Sequence, residues 1–190
     1  MPIRSLALLL LFWQGDAYQQ GVAAFEQGRP AEALPLLQAA TTAEPQNAQA
    51  WKALGVLYAS QGDTRAAVDP FARACSLNSR LLDACYYHGR ALYTLNRFAE
   101  ALPSLEKALA AASAKAMPET AIGECLEGLG RRDEAERRLL SAIARRDGFE
   151  DRARTAYARF LLRDGRAAAS VPILEAAIAR EPNSAEAHYQ

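Results

Sequence analysis

Glycine returns at a fixed interval along most of this chain. Gly21, Gly55, Gly89 and Gly123 are each separated by 34 residues, and Ala158 follows the last of them after 35. A small residue that recurs with this period marks a unit of a few short elements that is stacked several times. The spacing constrains the fold more than any other feature of the sequence, because it favours an array of similar units over one globular domain without internal repeats.

Three further columns keep the same period and show what the unit contains. Two of them hold small residues: Ala33, Ala67, Ala101, Ala135 and Ser170, then Ala40, Ala74, Ala108, Ala142 and Ala177. The third holds bulky apolar residues: Leu37, Phe71, Leu105, Leu139 and Leu174. Spacings of three and four residues place these columns on one helix face. Small residues let two successive helices approach and the bulky residue fills the gap, so the pattern predicts five helical hairpins.

A turn residue separates the two helices of each hairpin. This column holds residue types that accept a left-handed backbone conformation: Gly28, Gly62, Asn96, Gly130 and Gly165. Asn96 is the one departure from glycine, and asparagine is common in that conformation for a residue with a side chain. Pro45 and Pro182 end the second helix of the first and fifth units, since proline cannot continue a helix.

This helix–turn–helix plan of 34 residues resembles the tetratricopeptide repeat (TPR). The second unit carries the clearest match, because Trp51, Leu54, Gly55 and Tyr58 reproduce the family pattern W-x-x-L-G-x-x-Y, whereas the third unit has Cys85 at the tryptophan position. The related Sel1-like repeat has a different period and more glycine. The resemblance implies an all-α fold, a right-handed superhelical solenoid of antiparallel helix pairs. The first helix of each pair, helix A, then lines most of the inner wall.

The resemblance also divides the chain. The TPR array is expected over residues 18–182, with repeats near 14–47, 48–81, 82–115, 116–150 and 151–184. Residues 183–190 are expected to be either the start of a sixth helix A or a capping stub.

The first 17 residues differ from the array. Arg4 gives a basic start, residues 6–13 are an unbroken apolar run, and residues 15–17 offer small side chains, as in a secretory signal peptide. The run is too short to span a bilayer as a helix. We expect a bacterial, exported chain that begins at Tyr18 and is periplasmic or secreted. The alternative is a cytoplasmic protein that keeps an apolar first helix.

One stripe of each helix A faces a partner-binding groove in the TPR family, and the resemblance implies the same here. The stripe gives these candidate binding residues: Tyr18, Phe25, Lys52, Tyr86, Arg90, Tyr93, Glu124, Glu127, Arg159 and Arg163. Tyrosine and arginine are enriched at protein-binding hot spots, which favours Tyr86, Arg90 and Tyr93. The competing interpretation is that both tyrosines pack on neighbouring helices and that Arg90 is solvated. The basic residues suit a ligand with carboxylates, but the two glutamates interrupt the positive wall.

Composition and motifs exclude several functions. Twenty-two basic residues balance 22 acidic ones, so no charge excess points to nucleic acid. His88 and His188 are the two histidines, and no phosphate-binding loop or metal-spaced ligand set accompanies them. We therefore expect neither an enzyme nor a protein with a metal or cofactor. Cys75, Cys85 and Cys125 lack metal-site spacing and are expected to be small core residues, although a disulfide between the first two is conceivable in an exported chain.

The sequence thus predicts a non-catalytic scaffold that binds a peptide or protein partner in its concave groove. The alternative is a structural module that stacks on another copy, or on another domain, through the ends of the solenoid. A groove-binding scaffold would lose its partner when Tyr86 and Arg90 are changed. A stacking module would be insensitive to those changes and sensitive to changes between Leu174 and Ile178.

Overall fold

A computed structural model describes residues 17–78 and 82–180. All regular secondary structure within these ranges is helical, and ten helices follow one another: α1 (residues 17–26), α2 (Pro30–Ala43), α3 (Ala48–Ser60), α4 (Thr64–Leu77), α5 (Leu82–Thr94), α6 (Phe98–Ala111), α7 (Ala116–Gly128), α8 (Arg132–Ala144), α9 (Glu150–Arg163) and α10 (Ala167–Arg180). Residues 1–16 of the expected signal peptide at 1–17, and the expected stub at 183–190, lie outside the described residues.

The helices form two compact units. The first extends to Leu95 and contains α1 to α5, and the second begins at Asn96 and contains α6 to α10. In the first unit α3 packs on α2 and α4, and α4 also packs on α5. In the second unit α7 packs on α6, α8 and α9, and α10 packs on α9. From α2 to α5 and from α6 to α10, consecutive helices therefore contact one another, as in a chain of hairpins.

The hairpins close as tightly as the small-residue columns predict. A Cβ atom added at Gly55 would lie 2.6 Å from a ring carbon of Phe71, and one added at Gly123 would lie 2.8 Å from Cγ of Leu139. Real Cβ atoms do not approach other carbon atoms so closely, so a side chain at either glycine would force the facing Phe71 or Leu139 side chain to shift. The glycine column and the bulky column are thus in direct contact across each of these hairpins.

The turn column adopts the left-handed conformation. Asn96 has φ of 58°, and its glycine counterparts have φ values between 70° and 80°. The residue after the turn closes the preceding helix in a Schellman-type arrangement, because its N–H reaches the carbonyl five residues back. The Asp63 N–H donates to the Tyr58 carbonyl at 3.0 Å, and the Arg131 N–H donates to the Leu126 carbonyl at 2.9 Å.

The three cysteines are buried, and two of them are bonded to each other. Cys75 of α4 and Cys85 of α5 form a disulfide, with 2.03 Å between the sulfur atoms and 4.7 Å between the Cα atoms. The third cysteine, Cys125 of α7, is a buried thiol as expected. Cys75 and Cys85 are buried, as expected of core residues, and the bond between them that the sequence left open is formed, because the end of α4 lies against the start of α5.

Candidate functional site

The first unit contains an open pocket between α3, α4 and α5. Its volume is about 350 Å³, and its walls are mainly apolar. The lining residues are Val56, Ala59, Ser60, Thr64, Phe71, Tyr87, Arg90, Ala91 and Thr94. Two of the lining helices, α3 and α5, are helices A of successive repeats, so the pocket lies on the face where the TPR resemblance places a ligand.

Aromatic rings form one wall of this pocket. The ring centroids of Phe71 and Tyr87 are 5.4 Å apart, and those of Tyr86 and Tyr87 are 5.9 Å apart. The exposed fraction of Tyr87 is 39%, whereas that of the buried Tyr86 is 9%. Beside them, the Arg90 guanidinium carbon lies 4.7 Å from the centroid of the Tyr93 ring, a cation–π contact. Rings held against one another lose little freedom on binding, which favours them as contact surfaces.

The structure distributes the predicted residues of the first unit among different roles. Arg90 lines the pocket. The Lys52 ammonium donates to the Asp83 carboxylate at 2.8 Å, so an ion pair engages this predicted basic group. Tyr18 and Phe25 pack against the buried cluster around Leu37. These two aromatic residues therefore contribute packing contacts in the first repeat.

Sequence reasoning missed Tyr87, the most exposed ring of the pocket wall. The predicted stripe started from Tyr86, and a rotation of one residue around α5 separates the buried ring from the exposed one. A signal was present in the repeat alignment. The other members of the Tyr87 column are small or polar: Gln19, Ala53, Ala121 and Ala156. A large ring in a column that is otherwise small or polar is the signal that could have identified this position from the sequence.

In the second unit, the four predicted residues are brought together and pair with one another. Arg159 donates to the Glu124 carboxylate at 2.9 Å. Arg163 donates to both oxygens of Glu127 at 2.7 Å. Both pairs join α7 to α9, one repeat further along. The charges that the sequence placed as separate acidic and basic patches form two matched ion pairs.

Further ion pairs tie the second unit together. Arg145 donates to Glu119 at 2.8 Å, and the Glu119 side chain is only 3% exposed. Hydrogen bonds from Arg166 and Tyr157 lower the pKa of Glu136. Burial and the hydrogen bond to Glu136 raise the pKa of Tyr157 to about 12. This phenol therefore stays protonated and donates to the carboxylate at neutral pH.

Within residues 17–78 and 82–180, no three histidine, cysteine or acidic side chains are grouped so that they could hold a metal ion. None of the helices in the described part of the chain is long and apolar enough to cross a membrane.

Repeated antiparallel hairpins, closed by small residues and carrying a pocket on a helix A face, define an α-helical repeat protein. The chain belongs to the tetratricopeptide repeat family, whose models match residues 18–80 and 82–115, together about half of the sequence. The predicted all-α TPR fold is thereby confirmed. TPR arrays act as protein–protein interaction scaffolds and are generally not catalytic.

Solved structures show the same fold. MamA from Desulfovibrio magneticus RS-1 is 21% identical with a TM-score of 0.77, and the match covers 90% of this chain and 97% of that one. TTC0263, a TPR protein from Thermus thermophilus, is 23% identical with a TM-score of 0.70 and coverage of 93% and 95%. The TPR protein YrrB is 20% identical with a TM-score of 0.71 and coverage of 91% and 89%. Among curated proteins, no sequence matches the chain significantly.

Proposed function

We propose that this TPR protein is a non-catalytic scaffold that binds a segment of a partner protein in the pocket between α3 and α5. The observation that carries the proposal is the exposed Tyr87 ring. It lines an apolar pocket between α3 and α5, which are the helices A of two successive repeats. A bulky apolar or aromatic side chain of the partner would enter the pocket, and the flanking peptide would follow the helix A face.

The size and chemistry of the pocket support this ligand class. Ligand pockets measure about 300–1,000 Å³, and 350 Å³ lies at the low end of that range. A pocket of this size suits one large side chain and not a whole cofactor. Val56 and Ala91 add aliphatic surface to the lining that Phe71 and Tyr87 form, so entry of an apolar side chain removes apolar surface from water on both partners.

The ion pairs of the second unit also favour a ligand that binds through an apolar side chain and not through a carboxylate. A ligand carboxylate that approached Arg159 or Arg163 would have to compete with Glu124 or Glu127, which already accept hydrogen bonds from those guanidinium groups. Displacing an internal charged hydrogen bond offsets most of the gain from forming a new one. The ion pairs therefore weaken the expectation of a carboxylate-bearing ligand that the basic residues suggested in the sequence.

A structural neighbour supports a peptide as the bound form. YrrB is described as a TPR protein with an unusual peptide-binding site, and it shares this fold at a TM-score of 0.71. A peptide segment can present one large side chain to the pocket while its backbone remains solvated along the groove.

The experiment that tests the proposal selects ligands from displayed random short peptides against the full chain. Ala59→Trp blocks the pocket, because Ala59 is an exposed lining residue of α3 and the indole would occupy the space beside Tyr87. Ala39→Trp is the matched control, since Ala39 is also an exposed alanine within a helix of the first unit but does not line the pocket.

We expect selected peptides to share a large apolar residue and to lose about tenfold or more in affinity with Ala59→Trp, the scale of a hot-spot contact. Ala39→Trp should bind them like the unmodified chain. Peptides that bind the Ala59→Trp chain equally well, or a selection that yields no pocket-dependent peptide, would refute the proposal.

We also propose that the chain is exported. The apolar segment before Tyr18 supports this, and so does the Cys75–Cys85 disulfide, since disulfides persist mainly in oxidising compartments. A fusion of residues 1–30 to alkaline phosphatase, which is active only after export, tests it. Activity that is lost when Leu8 and Leu9 are both changed to arginine supports export, and an inactive fusion of normal abundance contradicts it.

A further inference from the structure

We propose that the Cys75–Cys85 disulfide is a redox control on the α3–α5 pocket. In the oxidised chain it holds α4 against α5 and keeps the aromatic wall in place, and its reduction releases that wall and weakens ligand binding. The control of ligand binding rests on the function proposed above, whereas the effect on α4 and α5 can be measured without a ligand.

The disulfide lies beside the pocket wall. Cys75 follows Phe71 by one turn on α4, and Cys85 precedes Tyr87 by two residues on α5. The disulfide and the Phe71–Tyr87 ring contact therefore join the same two helices at neighbouring positions. Each helix carries one cysteine and one ring and moves as a rigid rod. A larger distance between α4 and α5 at the cysteines would therefore also separate the two rings.

The repeat alignment shows what the disulfide replaces. Trp51 occupies the Cys85 column one repeat earlier, and its large ring packs against the core of the first unit while its indole N–H donates to the Pro45 carbonyl at 3.0 Å. Cys85 is much smaller than tryptophan, so the α4–α5 junction lacks this packing. A covalent bond supplies the connection there, and a reduced junction would retain two small thiols in its place.

Both sulfur-bearing residues are buried, Cys75 at 4% exposure and Cys85 at 0%. The reductant that the proposal requires is a dithiol, such as a Cys-x-x-Cys protein or dithiothreitol. One of its thiolates attacks a sulfur of the disulfide and forms a mixed disulfide, and its second thiolate then displaces that sulfur. Two electrons pass from the dithiol to the protein, Cys75 and Cys85 each end as a protonated thiol, and the reductant becomes a disulfide. Burial means that this attack requires the junction to open first.

Hydrogen exchange of the full chain tests the proposal. The oxidised chain is compared with the chain reduced by dithiothreitol, and mass spectrometry confirms the gain of two hydrogens. The double variant Cys75→Ser/Cys85→Ser gives the reduced arrangement without a reductant, and Cys125→Ser controls for the loss of a buried thiol. We expect amides of residues 86–94 in α5 to exchange about tenfold faster in the reduced chain and in the double variant, with α8 unchanged.

The outcomes separate the two proposals. Equal protection of α5 in the oxidised and reduced chains overturns the redox control, and so does a loss of protection in α8 as large as that in α5, which would show general unfolding. A pocket-selected peptide should bind the reduced chain about tenfold more weakly, and equal affinity also overturns the control. If no pocket-dependent peptide exists, the proposed function fails, but the exchange comparison still decides whether the disulfide governs the pocket wall.

Discussion

The two units of this protein share one repeat plan but differ in the contacts that link their successive repeats. In the first unit, a disulfide and the tilted contact between the Phe71 and Tyr87 rings join α4 to α5, and one ion pair, Lys52–Asp83, joins α3 to α5. In the second unit, α7 and α9 are joined by two ion pairs, and α8 and α9 by the hydrogen bond from Tyr157 to Glu136. The comparison teaches that the small and bulky columns determine the hairpin, while the residues between repeats can either line an open pocket or form paired charges.

The largest effect is expected from removing the bulky ring that serves both the core and the pocket. Phe71→Ala should lower the free energy of unfolding by about 3–5 kcal/mol and abolish peptide binding, because Phe71 is 3% exposed and also forms the pocket wall. Leu139→Ala, its counterpart in the second unit, should cost about 2–5 kcal/mol and leave peptide affinity unchanged. Urea unfolding and peptide titration measure the two effects. If the binding losses of the two variants were equal, the pocket would not belong to the first unit alone.

The disulfide should contribute the next largest effect. Cys75→Ser/Cys85→Ser removes a closed loop with a sequence separation of 10 residues, which the chain-entropy account values at about 2–3 kcal/mol. Added salt should not change this loss, since no charge is involved. Denaturant unfolding at low and high salt measures it, with Cys125→Ser as the control. A loss that depended strongly on salt would mean that charge contributes to the link between α4 and α5.

Breaking an ion pair in the second unit should have a smaller and salt-dependent effect. Glu124→Gln removes the carboxylate charge that faces the partly buried Arg159 guanidinium, and we expect a loss of about 1–2 kcal/mol that shrinks as salt rises. Peptide affinity should not change. An increase in affinity for acidic peptides in this variant would show that Glu124 shields a ligand site, which would weaken the contrast between the two units.

The smallest effect concerns the phenol that donates to Glu136. The folded-state pKa of Tyr157, about 12, exceeds the unfolded value of about 10, so this contribution is fully present below pH 10 and is lost as pH rises towards 12. Tyr157→Phe should cost about 1 kcal/mol near pH 7, and the difference from the unmodified chain should shrink above pH 10. Urea midpoints across this pH range measure it. A difference that stayed constant with pH would contradict the hydrogen bond.

The fold could be predicted from the sequence because every repeat has the same pattern of small, bulky and turn residues. The contact of Gly55 with Phe71 is repeated by Gly123 with Leu139, and the left-handed turn at Asn96 obeys a constraint that glycine shows elsewhere. Agreement among columns makes such a prediction robust to single departures, such as Cys85 in place of tryptophan.

The site was harder to predict because it depends on differences between repeats. The helical stripe included Arg90, which lines the pocket, and Tyr86, whose ring is buried, but it left out the exposed ring of Tyr87 at the next position of α5. The pairing of Glu124 with Arg159 depends on which side chains of adjacent helices meet, and helical periodicity within one helix carries no information on that. The disulfide depends in the same way on a distance across a junction.

The ion pairs of the second unit have a consequence for how such an array can grow. The acidic members of both pairs lie on α7 and the basic members on α9, so the fourth and fifth repeats are complementary and not equivalent. A gene duplication that copied the fourth repeat alone would place Glu124 and Glu127 opposite their own copies, and the like charges would repel. Tandem lengthening of this protein, in evolution or by design, would therefore have to copy the two repeats together.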